Sequence, residues 1–332
     1  VDTSPPLLLT GGAGVYTASV SFNSLPRDAL LDTGSPMTWF SLAPGDAALP
    51  THGMTDGDTY DDGQSFAGLF RYGTLGVAGL EVPDCGACIV SHAVKYATRA
   101  VLGLSLRRGR PFKIRGVPHP GDVGYRLADL LRGRDVLSLS LDREQAHSPS
   151  EQGVGPSSVL FGKLHLPSER YEWTRPIPKG EHDWVVELQL SAFGPGGESS
   201  PRPYKTLVDT GCSHFKANAR LGAALRDAWG FQLANGECPE RSSLRGCGVR
   251  VRVGGAEFDV AAQDLVLKVD PDVEDGGRQC NRITVCGDAV TKGKGEHEAV
   301  FGMAILAAWE SVAWDFAERR VGFAARHAKC AN

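Results

Sequence analysis

Leu30-Leu31-Asp32-Thr33-Gly34-Ser35 recurs 177 residues later as Leu207-Val208-Asp209-Thr210-Gly211-Cys212. In each copy an apolar run leads straight into Asp-Thr-Gly. Such a run delivers a carboxylate from a dry strand end into a tight loop, where glycine lets another backbone come close. At average composition an Asp-Thr-Gly triplet arises at roughly one position in 5,000, so two with matching lead-ins read as a duplication rather than as two unrelated Asp-Gly turns. A second matched pair follows each Asp: Ala100-Val101-Leu102-Gly103-Leu104-Ser105-Leu106 in the first half and Ala299-Val300-Phe301-Gly302-Met303-Ala304-Ile305 in the second. Two copies of one unit are implied. The run Trp173 to Gly180 is rich in turn formers, which places the junction near it and gives two expected domains, residues 1–172 and 173–332, with one Asp-Thr-Gly each.

That division agrees with length. A chain of 332 residues exceeds what one hydrophobic core usually organises. Glycine (41) and proline (20) punctuate short alternating runs rather than long helical ones, so the chain reads as mostly β. Val15 to Phe22, Val185 to Leu190 and Val249 to Val253 are examples. Helical signals are few: Ala219 to Trp229 carries Leu221, Leu225 and Trp229 at a spacing of four and ends at Gly230, and Tyr125 to Leu131 is a shorter candidate.

With 42% apolar and 22% charged residues the chain is globular rather than disordered or fibrous. A net charge of −4 promises neither nucleic acid nor an anionic membrane as partner. One local excess of basic residues, Arg107 to Arg134, lacks interleaved aromatic rings and reads as a solvated face. The longest nearly uncharged apolar stretch, Ala299 to Trp309, is far shorter than the roughly 20 residues of a membrane helix, so no span is expected. Eight cysteines contain a single Cys-x-x-Cys, Cys85 to Cys88, which favours disulfides in an oxidising compartment over a metal site. A start at Val1 suits a processed chain, and the absence of any Asn-x-Ser/Thr argues against N-glycosylation.

Together these motifs resemble the pepsin-like aspartic proteases over nearly the whole chain. The resemblance implies an all-β, bilobal fold of two pseudo-symmetric lobes with a few short helices, and an endopeptidase whose catalytic residues are Asp32 and Asp209. Gly103 and Gly302 lie in segments like the family's paired strands beneath the Asp loops. Tyr72, Gly73 and Thr74 resemble the tip of a flap hairpin that closes over substrate, and Trp39 resembles the indole that supports it. Val159 to Gly162 and Trp314 through Phe323 match as well. By the same resemblance Thr33 and Thr210 reach across to the opposite loop, Ser35 supports ionised Asp32, and Gly34 and Gly211 offer backbone to an extended peptide. Leu30 and Val101 line the pocket before the cleaved bond and Leu207 and Val300 the pocket after it. No cofactor and no metal are implied. The expected partners are an extended polypeptide and pepstatin-type inhibitors. A monomer is expected, released from a zymogen and either secreted or held in an acidic vacuolar compartment.

The chemistry follows from two carboxylates within hydrogen-bond distance of one water. Like charges that close cannot both ionise, so one proton is shared, and aspartic-protease dyads are the standard instance. The ionised member takes a proton from the water as it attacks the scissile carbonyl, while the protonated member hydrogen-bonds the carbonyl oxygen.

Several positions depart from the family pattern. Cys212 stands where Thr or Ser is usual and is a poor donor, which predicts weaker support for ionised Asp209 if the thiol is unoxidised; a disulfide to Cys330 is the alternative. Met303 replaces a usual Asp or Asn, and Thr98 replaces a usual aromatic. Asp56, Asp58, Asp61 and Asp62 crowd the approach to the expected flap, as solvated loop acids or as a preference for basic substrates. With 35 Lys and Arg, full protonation of the acids would create strong self-repulsion, so a mildly acidic working range, about pH 4 to 6, is expected. A catalytically inactive binding or inhibitor protein on the same fold is the alternative, and the two intact triplets argue against it.

Overall fold

The computed structural model describes residues 6–12, 15–35, 37–44, 46, 51–59, 65–90, 100–106, 113–114, 117–118, 135–142, 157–179, 181, 183–230, 244–265, 267–268, 281–282, 284–285 and 297–326. Arg107–Lys113, Arg115, Arg126, Arg132 and Arg134 of the basic segment, the candidate helix 125–131, Thr98, Asp61, Asp62, Cys238, Cys280, Cys286 and Cys330 lie outside the residues whose side chains are described.

Alternation of apolar and polar residues makes the first half a succession of strands: β1 (Leu7–Gly12), β2 (Val15–Phe22), β3 (Leu25–Asp32), β4 (Trp39–Ser41), β5 (Thr51–Thr59), β6 (Ser65–Val77), β7 (Leu80–Val90) and β8 (Ala100–Gly103). Pairing runs β2-β3-β8-β4-β7-β6 and returns to β2 through Ser21↔Gly76 and Phe22↔Leu75, so the sheet closes on itself. Closure removes the free edge that an open sheet would leave. A two-stranded ribbon, β9 (Lys113–Ile114) and β10 (Val117–Pro118), follows, and then β11 (Val136–Ser140), β12 (Ser158–Phe161) and β13 (Glu172–Trp173).

Strands of the second half are β14 (Val185–Gly194), β15 (Gly197–Glu198), β16 (Arg202–Val208), β17 (Phe215–Ala217), β18 (Gly248–Val253), β19 (Ala256–Ala261), β20 (Leu267–Lys268), β21 (Asn281–Arg282), β22 (Thr284–Val285) and β23 (Ala299–Phe301), with β24 (Ser311–Asp315) and β25 (Arg320–Ala324) last. Their main sheet runs β19-β18-β14-β16-β23-β17-β22, and β15 pairs with β14. The helix Ala219–Trp229 packs on β14 and spans the residues expected from spacing. Asn218 caps its start by accepting from Leu221 N at 2.9 Å, and left-handed Gly230 (φ 76°) ends it.

A third layer joins the halves. Strands β1-β12-β11 from the first half and β24-β25 from the second, with the junction strand β13 beside β25, form one continuous arrangement, paired at its centre through Val136↔Asp315 to Leu139↔Val312. The order mirrors itself about the β11–β24 seam, as a pseudo-two-fold axis requires. The expected boundary at 172/173 falls inside β13, a strand of this shared sheet rather than a linker. The halves are also stitched by side chains: the Trp184 indole donates to Leu104 O at 3.0 Å, and Tyr171 Oη donates to Ser311 Oγ at 2.8 Å, which in turn donates to Leu139 O at 2.9 Å.

Most buried apolar side chains form one cluster that includes Leu31, Leu102, Val208 and Phe301, the residues that alternate with the pairs flanking each Asp. Among the described residues no helix is long and apolar enough to cross a membrane. Among the described residues Cys85, Cys88, Cys212 and Cys247 are reduced thiols. Strand geometry explains one case: Cys85 and Cys88 lie three apart on β7, roughly 10 Å of extended chain with side chains on opposite faces, which a disulfide cannot span.

Candidate active site

Asp32 ends β3 and Asp209 follows the last residue of β16, so each carboxylate leaves a buried strand at the same point of its half. Each is bound by its own loop. Asp32 Oδ1 accepts from Gly34 N at 2.9 Å and Ser35 N at 3.0 Å, and Asp209 Oδ1 accepts from Gly211 N at 2.8 Å. Gly34 N also reaches across to Asp209 Oδ1 at 3.2 Å. The glycines are what let the halves approach: a Cβ on Gly34 would lie 2.6 Å from the Asp209 carboxyl, and one on Gly211 would lie 2.3 Å from that of Asp32. The two carboxyl groups meet at Gly34 N, which donates to an oxygen of each.

Burial raises both carboxyls above the usual carboxylate range, and the asymmetry between them is chemical. Asp32 is pushed well up by desolvation, then by the charge of Asp209 and by donating to it. Asp209 is raised by desolvation but pulled back by the Asp32 hydrogen bond, the Gly211 N–H and the charge of Lys216. Two carboxyls this close cannot both ionise, so the pair holds one proton between them.

Two threonines lock the loops. Thr33 Oγ1 donates to Val208 O at 2.9 Å and accepts from Thr210 N at 3.0 Å. Thr210 Oγ1 donates to Leu31 O at 2.6 Å and accepts from Thr33 N at 3.0 Å. Both side chains are buried, so removing either leaves amide and carbonyl groups unpaired in a dry place. Beneath the loops, Gly103 and Gly302 pass so close that a Cβ would meet Met37 backbone at 2.7 Å and His214 O at 2.3 Å.

Ser35 does not hold Asp32 with its hydroxyl, as the resemblance implied. Its Oγ donates to Met37 O at 3.4 Å and accepts from Met37 N at 3.2 Å; only its amide reaches the carboxylate. Cys212 copies this arrangement in the other half. Its Sγ donates to His214 O at 3.3 Å, and burial together with the Asp209 charge pushes the thiol up to about 12, so it stays neutral. The thiol is not oxidised to Cys330. Met303 is buried under the same loops, lining a small apolar cavity with Leu31, Thr210, Tyr16 and Trp314.

Leu30 pairs with Val101 and Leu207 with Val300 at matching positions. Leu30 and Val101 cluster with Trp39, Cys88 and Val90, and Leu207 and Val300 cluster with Val185 and Cys212, both apart from the main core. Because each leucine is two residues before its Asp, these clusters share the carboxylates' face.

Tyr72, Gly73 and Thr74 are not at a hairpin tip. Left-handed Ala78 (φ 50°) and Gly79 (φ 75°) make the β6–β7 turn instead. Gly73 and Thr74 lie mid-strand against the β2–β3 turn: Thr74 N donates to Asn23 Oδ1 at 2.8 Å, Asn23 N donates to Thr74 O at 2.8 Å, and the Asn23 amide fills the space of a Gly73 Cβ. That turn precedes β3, and roughly 25 Å of extended strand separates it from Asp32. Backbone there cannot reach a peptide lying on Asp32. Tyr72 is half-buried, with its ring edge-on to Phe70 at 5.4 Å. The other hairpin of β6 closes with Thr59↔Ser65, and its connection 60–64 lies outside the described residues.

One residue was missed. Lys216 follows Asp209 by the same seven residues that separate Trp39 from Asp32, and comparing the two copies at that offset would have found it.

No family model matches the sequence, and no curated protein matches it. The structure is similar to the crystal structure of an aspartic proteinase from Irpex lacteus, with a TM-score of 0.73 over 98% of both chains at 18% identity. The chain has the aspartic proteinase fold. At that identity the likeness is one of fold alone.

Proposed function

We propose that the protein is an aspartic endopeptidase. The observation that carries the reading is the pair of Asp32 and Asp209 carboxyls, both bonded by Gly34 N and held in loops cross-linked by Thr33 and Thr210. A pair that held two charges would repel; a pair sharing one proton is both acid and base. In the proposed cycle Asp209 takes a proton from water as the oxygen attacks the scissile carbonyl carbon, and Asp32 gives its proton to the carbonyl oxygen. Collapse of the resulting diol returns a hydroxyl proton to Asp32 while Asp209 passes its own to the leaving amine, so both groups end as they began. No covalent intermediate arises.

Apolar walls at Leu30 and Val101, and at Leu207 and Val300, support an extended peptide as substrate, with Gly34 and Gly211 offering backbone on either side of the dyad. The flap passes, in this proposal, from Tyr72 to the β5–β6 hairpin, where Tyr60 follows Thr59 directly in sequence. An acidic working range and a monomer secreted or held in an acidic compartment after zymogen processing complete the reading. The intact dyad, with both Asp-Thr-Gly loops in place, speaks against an inert binding protein.

The test is hydrolysis of a denatured protein at pH 3 to 6 with and without a pepstatin-type inhibitor. Activity abolished by the inhibitor and lowered at least about a thousandfold by Asp32→Asn and by Asp209→Asn is expected. Turnover that survives both substitutions would refute the proposal.

A further inference from the structure

Met37 follows Asp32 by five residues, and its backbone is held from several sides. Ser35 Oγ bonds both Met37 O and Met37 N, and the Gly103 backbone passes so close that a Cβ there would lie 2.7 Å from Met37 O. Thr38, next in the chain, accepts from Gly103 N at 3.2 Å through Oγ1 and from Cys88 N at 3.0 Å through its carbonyl. With the main chain fixed in this way, the Met37 side chain packs beside Leu30 against the buried cluster of Trp39, Cys88, Val90 and Val101. It therefore belongs to the apolar wall on the face that Leu30 shares with Asp32. The cluster is buried, yet Met37 is partly exposed, whereas Met303 beneath the loops is only 2% exposed. The equivalent residue of the second half is His214, whose backbone is approached by Gly302 as that of Met37 is by Gly103. Only the first wall carries a thioether at this place.

A thioether is apolar and adaptable, which suits a substrate wall, and it reacts with peroxide without first losing a proton. Its sulfur lone pair attacks one oxygen of hydrogen peroxide; an S–O bond forms as the O–O bond breaks, and the second oxygen leaves as water. Sulfur gives up two electrons and the peroxide accepts them. The resulting sulfoxide is polar. Among Trp39, Val101 and Leu30 it either stays desolvated, at a cost, or turns out of the wall. Both outcomes spoil the surface against which an apolar substrate side chain would lie. The thiol beside the dyad competes poorly for peroxide, because burial keeps Cys212 neutral and the thiolate is the reactive form.

We propose that Met37 is a reversible oxidation site, at which hydrogen peroxide converts the thioether to a sulfoxide and thereby weakens the binding of substrates with an apolar residue before the cleaved bond. The effect on substrates rests on the proteolytic reading; the modification itself does not.

The test treats the folded protein with hydrogen peroxide, stops samples at intervals with catalase, and divides each between peptide mass mapping and kinetics on one peptide with leucine before the cleaved bond. Sulfoxide is expected at Met37 at least about tenfold faster than at Met303. The value of kcat/KM should fall in step with Met37 oxidation, about five- to twentyfold at completion and chiefly through KM, and should recover on treatment with methionine sulfoxide reductases for both epimers. In Met37→Leu the ratio of treated to untreated kcat/KM, which cancels whatever the substitution itself does, should stay at about 1. Met37 remaining reduced while Met303 oxidises, full oxidation of Met37 with kcat/KM unchanged, a loss that follows Met54 instead, or an equal loss in Met37→Leu each overturns the inference and leaves the proteolytic reading standing. Should Met37→Leu not fold, the order of oxidation, the loss and its recovery in wild type decide alone. Folded, untreated wild type that cleaves neither the peptide nor a denatured protein refutes the proteolytic reading and the effect on substrates with it, while the mass map decides the modification by itself.

Discussion

Ser35 and Cys212 occupy equivalent places in the two Asp loops and do the same thing: each donates to the carbonyl two residues on, at 3.4 Å and 3.3 Å, and neither side chain touches its aspartate. The sequence difference at this pair therefore leaves the dyad's support unchanged, contrary to what the missing hydroxyl implies when read alone. Cys212→Ser is expected to give a pH–rate profile that superimposes on wild type to within about 0.3 units, measured on one peptide from pH 3 to 7. Lys216 is the residue that does distinguish the halves electrostatically. Both Asp-Thr-Gly loops were legible as motifs, because the chemistry is written in consecutive residues. The turning of Ser35 toward Met37 O and of Cys212 toward His214 O was not, because it depends on the folded conformation of the loops.

Within single elements, β6 shows how pairing overrides a motif. Tyr-Gly-Thr fits a hairpin tip as well as mid-strand, and only the registers Gly73↔Cys85 and Gly76↔Ser21 decide between them. Tyr72→Ala is expected to leave kcat/KM within about threefold, since the ring packs on Phe70 far from the dyad, whereas Tyr60→Ala should lower it at least about tenfold if the β5–β6 hairpin closes over substrate; kinetics on a single peptide read both. In the shared sheet, His165 lies between Ser138 Oγ on β11 (Nδ1 at 2.7 Å) and Ser158 Oγ on β12 (Nε2 at 3.0 Å). Burial, with the Lys163 charge second, lowers its pKa to about 4. The unfolded chain takes up this proton near pH 6.5 and the folded chain only near 4, so stability falls as pH drops across that window and not below it. The loss should be about 1 to 2 kcal/mol after allowance for partial exposure, and His165→Gln should flatten it, as urea midpoints at pH 7 and pH 4.5 would show. A stability difference between those pH values that is identical in the variant would contradict this.

At the scale of the molecule the two halves share a sheet, a core cluster and the threonine cross-links, and the candidate active site exists only where they meet. The Trp184 and Tyr171 hydrogen bonds cross between halves as well. Thermal unfolding is accordingly expected as one transition with equal calorimetric and van't Hoff enthalpies, and two resolved transitions would show that the shared sheet does not couple the lobes.

The sequence by itself determined the duplication, the two aspartates, the all-β character and the helix Ala219–Trp229, because each is encoded in neighbouring residues or in an internal repeat. Only tertiary structure decided which hairpin turns where and that Ser35 and Cys212 look away from the dyad. Those facts are set by strand register and by contacts between residues far apart in the chain, and no local pattern carries the energy that selects them.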